Sequence, residues 1–152
     1  CDAKNDKAIN KINHLKNRVS PMSVIAPSKR IVKSWLNIKE SHKREALSFI
    51  DGGKTIIAPV YENIVSKKIC GNNNSLGIRI PNHPFCTLLS NNFPNPITTT
   101  SVNRTKMPAM TELLKIIKEF SKEVDLIIED GNINQKGSEI RMLKKDIWIR
   151  IR

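Results

Sequence analysis

Basic and hydroxyl-bearing side chains gather in two stretches of this chain that lie between apolar segments. One is Lys16-Asn17-Arg18; the other spans 75–103 and carries Ser75, Arg79, His83, Thr98, Thr99, Thr100, Ser101 and Asn103. Ammonium and guanidinium groups beside hydroxyls and amides suit anion binding, because they neutralise phosphate or carboxylate charge and donate hydrogen bonds to its oxygens. They do not make an activated nucleophile, and no serine or cysteine stands in a recognisable Ser-His-Asp arrangement. Each stretch also has a purely structural reading. Cations at the end of a helix gain about 0.3–1 kcal/mol from the helix dipole, and Thr, Ser and Asn after a strand commonly cap a turn.

The totals narrow the classes. A chain of 152 residues is one domain's worth, able to bury roughly two thirds of the surface it exposes when unfolded. With 39% hydrophobic residues and no apolar run near the ~18–20 residues of a membrane helix, a soluble, cytoplasmic protein with no membrane role is expected. Residue 1 is Cys and polar residues follow, so a signal peptide is excluded and a longer parent chain is expected. Cys1, Cys70 and Cys86 lack zinc or disulfide spacing, and no metal site is expected from them. The net charge of +12 predicts attraction to nucleotides, RNA or acidic surfaces. The abundance of Lys, Ile and Asn would equally follow from an AT-rich coding sequence. There is no GxxxxGK(S/T) and no GxGxxG, so neither a P-loop nor a dinucleotide-binding fold is supported.

The elements that must position these side chains are legible as periodicity. Ile9, Ile12 and Leu15 predict a helix over 6–16 with Asn5 or Asp6 as its cap. Residues 22–25 form a short β-prone run. Ser28 would cap a second helix carrying Ile31, Val32, Trp35 and Leu36, and 41–50 a third. Strands are predicted over 55–58, 75–80 and 97–100, helices over 85–89 and 111–122, a buried strand over 124–128, and a strand-like tail over 140–151. Helices and strands are interspersed, which predicts an α/β fold with a mixed sheet.

Lys16-Asn17-Arg18 and Ser101-Val102-Asn103 resemble the KxR and SxN elements of the YrdC family, in the family's order. Between them, Leu76-Gly77-Ile78-Arg79-Ile80-Pro81-Asn82-His83-Pro84 is similar to its arginine-containing strand and R-x-P-x-H-P turn, and 98–103 to its strand-to-loop signature. The resemblance implies a YrdC-like single domain over 1–152, a twisted mixed parallel and antiparallel sheet flanked by helices around a concave basic cavity. The family's opening strand, with its P-T-(D/E)-T-x-Y-G-L element, would precede Cys1 and is expected to be missing here, so the chain as given is expected to be inactive.

The activity implied is that of an L-threonylcarbamoyladenylate synthase, a nucleotidyltransferase. L-threonine, bicarbonate and ATP, the last with Mg2+, give threonylcarbamoyl-AMP and pyrophosphate for threonylcarbamoyladenosine modification of tRNA by a downstream transferase complex. Such a transfer needs positioning and charge neutralisation more than a nucleophile. By resemblance, Lys16 and Arg18 are catalytic, and Arg18 contacts the ATP phosphates. Ser75, Asn103 and Thr111 match nucleotide-contacting positions. Arg150 or Arg152 corresponds to a late ATP-contacting arginine, with Arg152 the better match to the family's spacing after Ser138. Arg79, Ser101 and Ser138 match threonine-binding positions. No metal-ligating residue is carried over.

Departures from the pattern are a short loop after Arg18, Asp51-Gly52-Gly53 in place of P-G-P, and Ser138-Glu139 in place of an S-T pair. His83 is expected to fix its turn, His14 and His42 to be exposed, Glu129 and Asp130 to serve a turn ahead of Gly131, and Trp35 and Trp148 to pack in the core. Two competing readings keep the scaffold without this reaction: a non-catalytic YrdC-like module that binds tRNA or double-stranded RNA, and a related carbamoyl-transfer or regulatory domain.

Overall fold

Alternation decides which side of each strand faces the core. The computed structural model describes residues 1–17, 21–93, 95–132 and 136–152. In it β1 (Ser23–Ile25), β2 (Lys54–Pro59), β3 (Ser75–Arg79), β4 (Ile97–Thr99), β5 (Glu139–Lys144) and β6 (Ile147–Arg150) form one sheet in the order β4-β1-β3-β2-β5-β6. The β1–β3 and β2–β5 pairs are parallel, and β1–β4, β2–β3 and β5–β6 are antiparallel. The mixed sheet expected from the sequence is therefore present.

Val24, Ile78 and Ile56 stand in register across β1, β3 and β2 and are fully buried, each worth about 1.5–3 kcal/mol. On that face pack α1 (Asp6–Lys16), α2 (Lys29–Trp35) and α3 (Glu40–Phe49), through Ile9, Val32, Ala46 and Phe49. The opposite face presents Ser23, Ile25, Thr55, Ile57, Ser75, Gly77 and Arg79 by the same alternation. Polar side chains on this second face are what the site is made from.

Local chemistry fixes the ends. The Asn5 side chain accepts from the backbone N–H of Lys7 and Ala8, and Asn17 closes α1 in the left-handed region at φ 50°, a conformation its short polar side chain tolerates. Ser28 caps α2 through Ile31 N at 3.3 Å. Gly52, at φ 51°, turns the chain from α3 into β2. Pro84 opens α4 (Pro84–Asn92), where its missing N–H costs nothing. That helix is longer than the segment 85–89 predicted for it, and α5 (Leu113–Phe120) is shorter than 111–122.

Two expectations are corrected. The segment 124–128 is not a buried strand: it pairs with nothing in the sheet, and Leu126 and Ile128 are exposed. β-propensity records fit to a pleated, half-buried surface, and this run has no neighbouring strand to supply one. The tail 140–151 is not one strand but the hairpin β5–β6, turned by Lys145 and Asp146 at φ 50° and 62°. Positive φ at both central residues is the geometry of a tight I′-type turn, hidden in the sequence because neither residue is Gly or Asn.

Close strand approach makes Gly77 irreplaceable. A Cβ there would stand 3.1 Å from Ser23 Cβ and 3.2 Å from Ser23 Cα, so the β1–β3 pair would have to part. Gly77→Ala is expected to destabilise the fold by about 1–3 kcal/mol, read as a lower urea midpoint, with partial recovery when Ser23→Gly is added. An unchanged midpoint would contradict this packing.

Candidate active site

The first cluster forms where α1 ends. Lys16 is 3% exposed, and its ammonium donates to Ser101 O at 2.6 Å, Asn103 O at 2.9 Å and Asn103 Oδ1 at 2.6 Å. Those three acceptors are neutral oxygens that solvate the charge. Ser101 Oγ donates to the same Asn103 Oδ1 at 2.8 Å, and Asn103 Nδ2 donates to Met107 O at 2.5 Å. The loop is thereby folded around the ammonium. Thr105 adds its backbone N–H and hydroxyl to Lys16 O. Lys16, Ser101 and Asn103, singled out from the sequence, are thus in direct contact. Arg18 lies outside the described residues.

A second cluster forms where β3 ends beside β2. Arg79 lies directly opposite Thr55 on β2, and its Nε is buried with no hydrogen-bond partner among the described residues. A guanidinium N–H left so is costly unless a ligand oxygen completes it. Thr55, 2% exposed, shares a 2.9 Å hydrogen bond with Ser138 Oγ. Arg152 Nε donates to Ser138 O at 3.0 Å. Arg150 takes a different path, its Nε 3.9 Å from Glu139 Oε1. Thr55 was not picked out from the sequence; only the β2–β3 register shows that this hydroxyl stands beside Arg79.

Between the clusters the sheet face forms the floor of an open cavity of about 1260 Å³, lined by Ser23, Ser75 and Gly77 below and by the β5–β6 turn at one side. Among the described residues, Ser75 is the one predicted site residue in its lining. Lys16, Arg79, Ser101, Asn103, Thr111, Ser138 and Arg152 are not part of that lining. The two clusters nevertheless flank the floor: Arg79 is two residues along β3 from Gly77, and Ser101 is two residues past Thr99, which lies opposite Ser23. Two residues of strand is about 7 Å. Thr111 sits half-buried ahead of α5.

Lys39, Lys144, Lys145 and Asp146 stand at the cavity wall. Lys39 Nζ meets Asp146 Oδ2 at 2.5 Å, and that hydrogen bond holds the Asp146 carboxyl below its ordinary range. His42, expected to be exposed, is instead largely covered, with 16% of its side chain accessible and its Nε2 3.7 Å from Asp146 Oδ1. The β5–β6 turn covers it, a contact that periodicity on α3 alone does not reveal. His83 Nε2 lies 3.1 Å from Asp130 Oδ2, in the segment ahead of Gly131. Glu129 accepts from Gly131 N at 2.7 Å.

Comparison with known proteins places this geometry. The Sua5/YciO/YrdC family model, described as telomere recombination, matches residues 1–152. A Methanocaldococcus jannaschii protein, whose name gives it as a candidate threonylcarbamoyl-AMP synthase, is 32% identical over 100% of this chain and 72% of its own. The chain belongs to the Sua5/YciO/YrdC family. A further family member, the threonylcarbamoyl-AMP synthase of Photobacterium profundum, is 26% identical over 99% of this chain and 84% of its own length.

Among solved structures, P. abyssi Sua5 complexed with L-threonine superposes with a TM-score of 0.86 at 22% identity, covering 100% of this chain and 46% of that one. E. coli YciO superposes with a TM-score of 0.87 at 18% identity, covering 75% of its chain. At such identities these neighbours establish the Sua5/YciO/YrdC fold and nothing finer. The chain spans about half the length of the P. abyssi Sua5 structure.

Proposed function

We propose that this chain is the catalytic domain of an L-threonylcarbamoyladenylate synthase. The observation that carries the reading is Arg79: a planar guanidinium with a buried N–H that has no partner among the described residues, opposite Thr55 and so next to the Thr55–Ser138 hydroxyl pair. A threonine carboxylate answers that geometry, because carboxylate and guanidinium meet through parallel hydrogen bonds. Names borne by the relatives point the same way.

The chemistry divides accordingly. The threonine amine takes up bicarbonate, losing water, to become a carbamate. A carbamate oxygen then attacks the α-phosphorus of ATP, the bond to the bridging oxygen breaks, and pyrophosphate leaves. Arg79, Ser138 and Ser101 hold the amino acid. Lys16 and Arg18 neutralise charge that develops on the departing group, while Ser75, Asn103, Thr111 and Arg152 hold the nucleotide. Among the described residues no group of three or more His, Cys, Asp or Glu side chains could hold a metal ion. Mg2+, as the counterion of ATP, would sit on the phosphate oxygens, where it would supply further charge neutralisation. The product would pass, in the cytoplasm, to a transferase complex that modifies tRNA.

The test is pyrophosphate release from ATP, measured for this chain and for the same chain extended by the coding sequence upstream of Cys1. Release that requires both threonine and bicarbonate supports the reading. Release indifferent to threonine defeats it.

A further inference from the structure

The synthase reading gives no role to Arg104, although this side chain stands where three parts of the Lys16 site meet. It directly follows Asn103. Its Nη1 donates at 2.7 Å to Leu15 O, in the last turn of α1 and one residue before Lys16. Its Nε donates at 2.7 Å to Glu119 Oε1, Nη1 reaches Glu123 Oε2 at 3.2 Å, and Nη2 donates to Glu123 Oε1. The guanidinium also lies over the Phe120 ring, 4.8 Å from its centroid, and Phe120 is buried.

An isolated exposed ion pair stabilises little. A planar fork that engages two carboxylates, a helix-end carbonyl and a ring face is a different object, since few other orientations satisfy all of them at once. The two glutamates raise the guanidinium pKa and are answered by a lowered Glu123 carboxyl. The segment so held is one that resists ordering by itself: Lys106 sits at φ 68° without being glycine, a strained position that persists only when its surroundings hold it.

We propose that Arg104 is a positioning residue, one that fixes the 101–105 loop against the end of α1 and so sets where the Lys16 ammonium and the Asn103 amide stand. The inference rests on the synthase reading for the identity of the ligand, ATP, that this arrangement serves. Arg104 does not touch the ligand. Its effect travels through the loop, from the carboxylates of Glu119 and Glu123 to the carbonyls that grip Lys16. Lysine cannot replace it, because one ammonium lacks the fork that spans Leu15 O and both glutamates.

The experiment is a double-mutant cycle on ATP affinity. In the otherwise native protein, Arg104→Met is expected to weaken ATP binding about tenfold. In a Lys16→Met background the same change is expected to alter ATP affinity by less than about twofold. Arg104→Lys should recover only part of the loss. A merely structural residue would cost the same in both backgrounds, and that result overturns the proposal, as does native ATP affinity in a folded Arg104→Met protein. Should Arg104→Met fail to fold, Glu119→Gln combined with Glu123→Gln removes the anchors and must give the same background dependence. Pyrophosphate release that is indifferent to threonine in the chain extended upstream of Cys1 refutes the synthase reading instead, and the ATP-affinity cycle still decides on Arg104.

Discussion

Lys16→Met leaves a folded protein whose pyrophosphate release is expected to be slower by about a hundred- to a thousandfold, the usual effect of removing one group that stabilises developing charge. The methionine keeps the length and apolar stem of the side chain, so the slot at the end of α1 stays filled. What goes is the ammonium, together with its hydrogen bonds to Ser101 O, Asn103 O and Asn103 Oδ1. Two of those acceptors are backbone carbonyls that a thioether cannot satisfy, and each costs about 1–3 kcal/mol if left without a donor. A lower unfolding temperature is thus expected alongside the lost activity. Rates must be taken on the fraction shown to be folded by circular dichroism. Near-native turnover in that fraction would mean that Lys16 serves only to tie the loop to α1, as a purely structural reading of its burial holds.

The second large effect belongs to Arg79 and should be selective. Arg79→Ala is expected to lower kcat/KM for threonine by about ten- to a hundredfold, or ~1.5–3 kcal/mol, the worth of a charge-assisted hydrogen-bonded pair. KM for ATP should move by less than about twofold, since Lys16 and Asn103, proposed to act on the ATP side, belong to the other cluster. Stability should fall little, because the mutation removes a buried N–H that had no partner among the described residues. Equal losses for the two substrates would contradict the assignment of Arg79 to the threonine carboxylate.

The legible part of this molecule was whatever local periodicity or a short motif could carry. Ile9, Ile12 and Leu15 placed α1, Ser28 announced the cap of α2, and the β-branched runs gave β2 and β3. The motifs around Lys16 and Ser101 named side chains that do meet, because a helix end and a strand end are local features whose juxtaposition the family pattern already implies. Thr55 was not legible: its hydroxyl becomes part of the site only through the register that sets it opposite Arg79 and near Ser138. The β5–β6 turn was hidden because Lys145 and Asp146 adopt positive φ without glycine. Residues 124–128 show the converse, an apolar β-branched run that the sheet never receives. Arg104 is illegible for the same reason as Thr55, since its partners Leu15, Glu119 and Glu123 come together only in three dimensions.

What distinguishes a carbamoylating synthase from an enzyme that merely activates an amino-acid carboxylate is the fate of bicarbonate carbon. The decisive measurement is mass spectrometry of the nucleotide product formed from ATP, threonine and 13C-labelled bicarbonate. The account predicts a threonylcarbamoyl-AMP carrying one label, with pyrophosphate released in equal amount and no labelled product when threonine is omitted. An unlabelled threonyl-AMP, or AMP formed with no threonine attached, would contradict it.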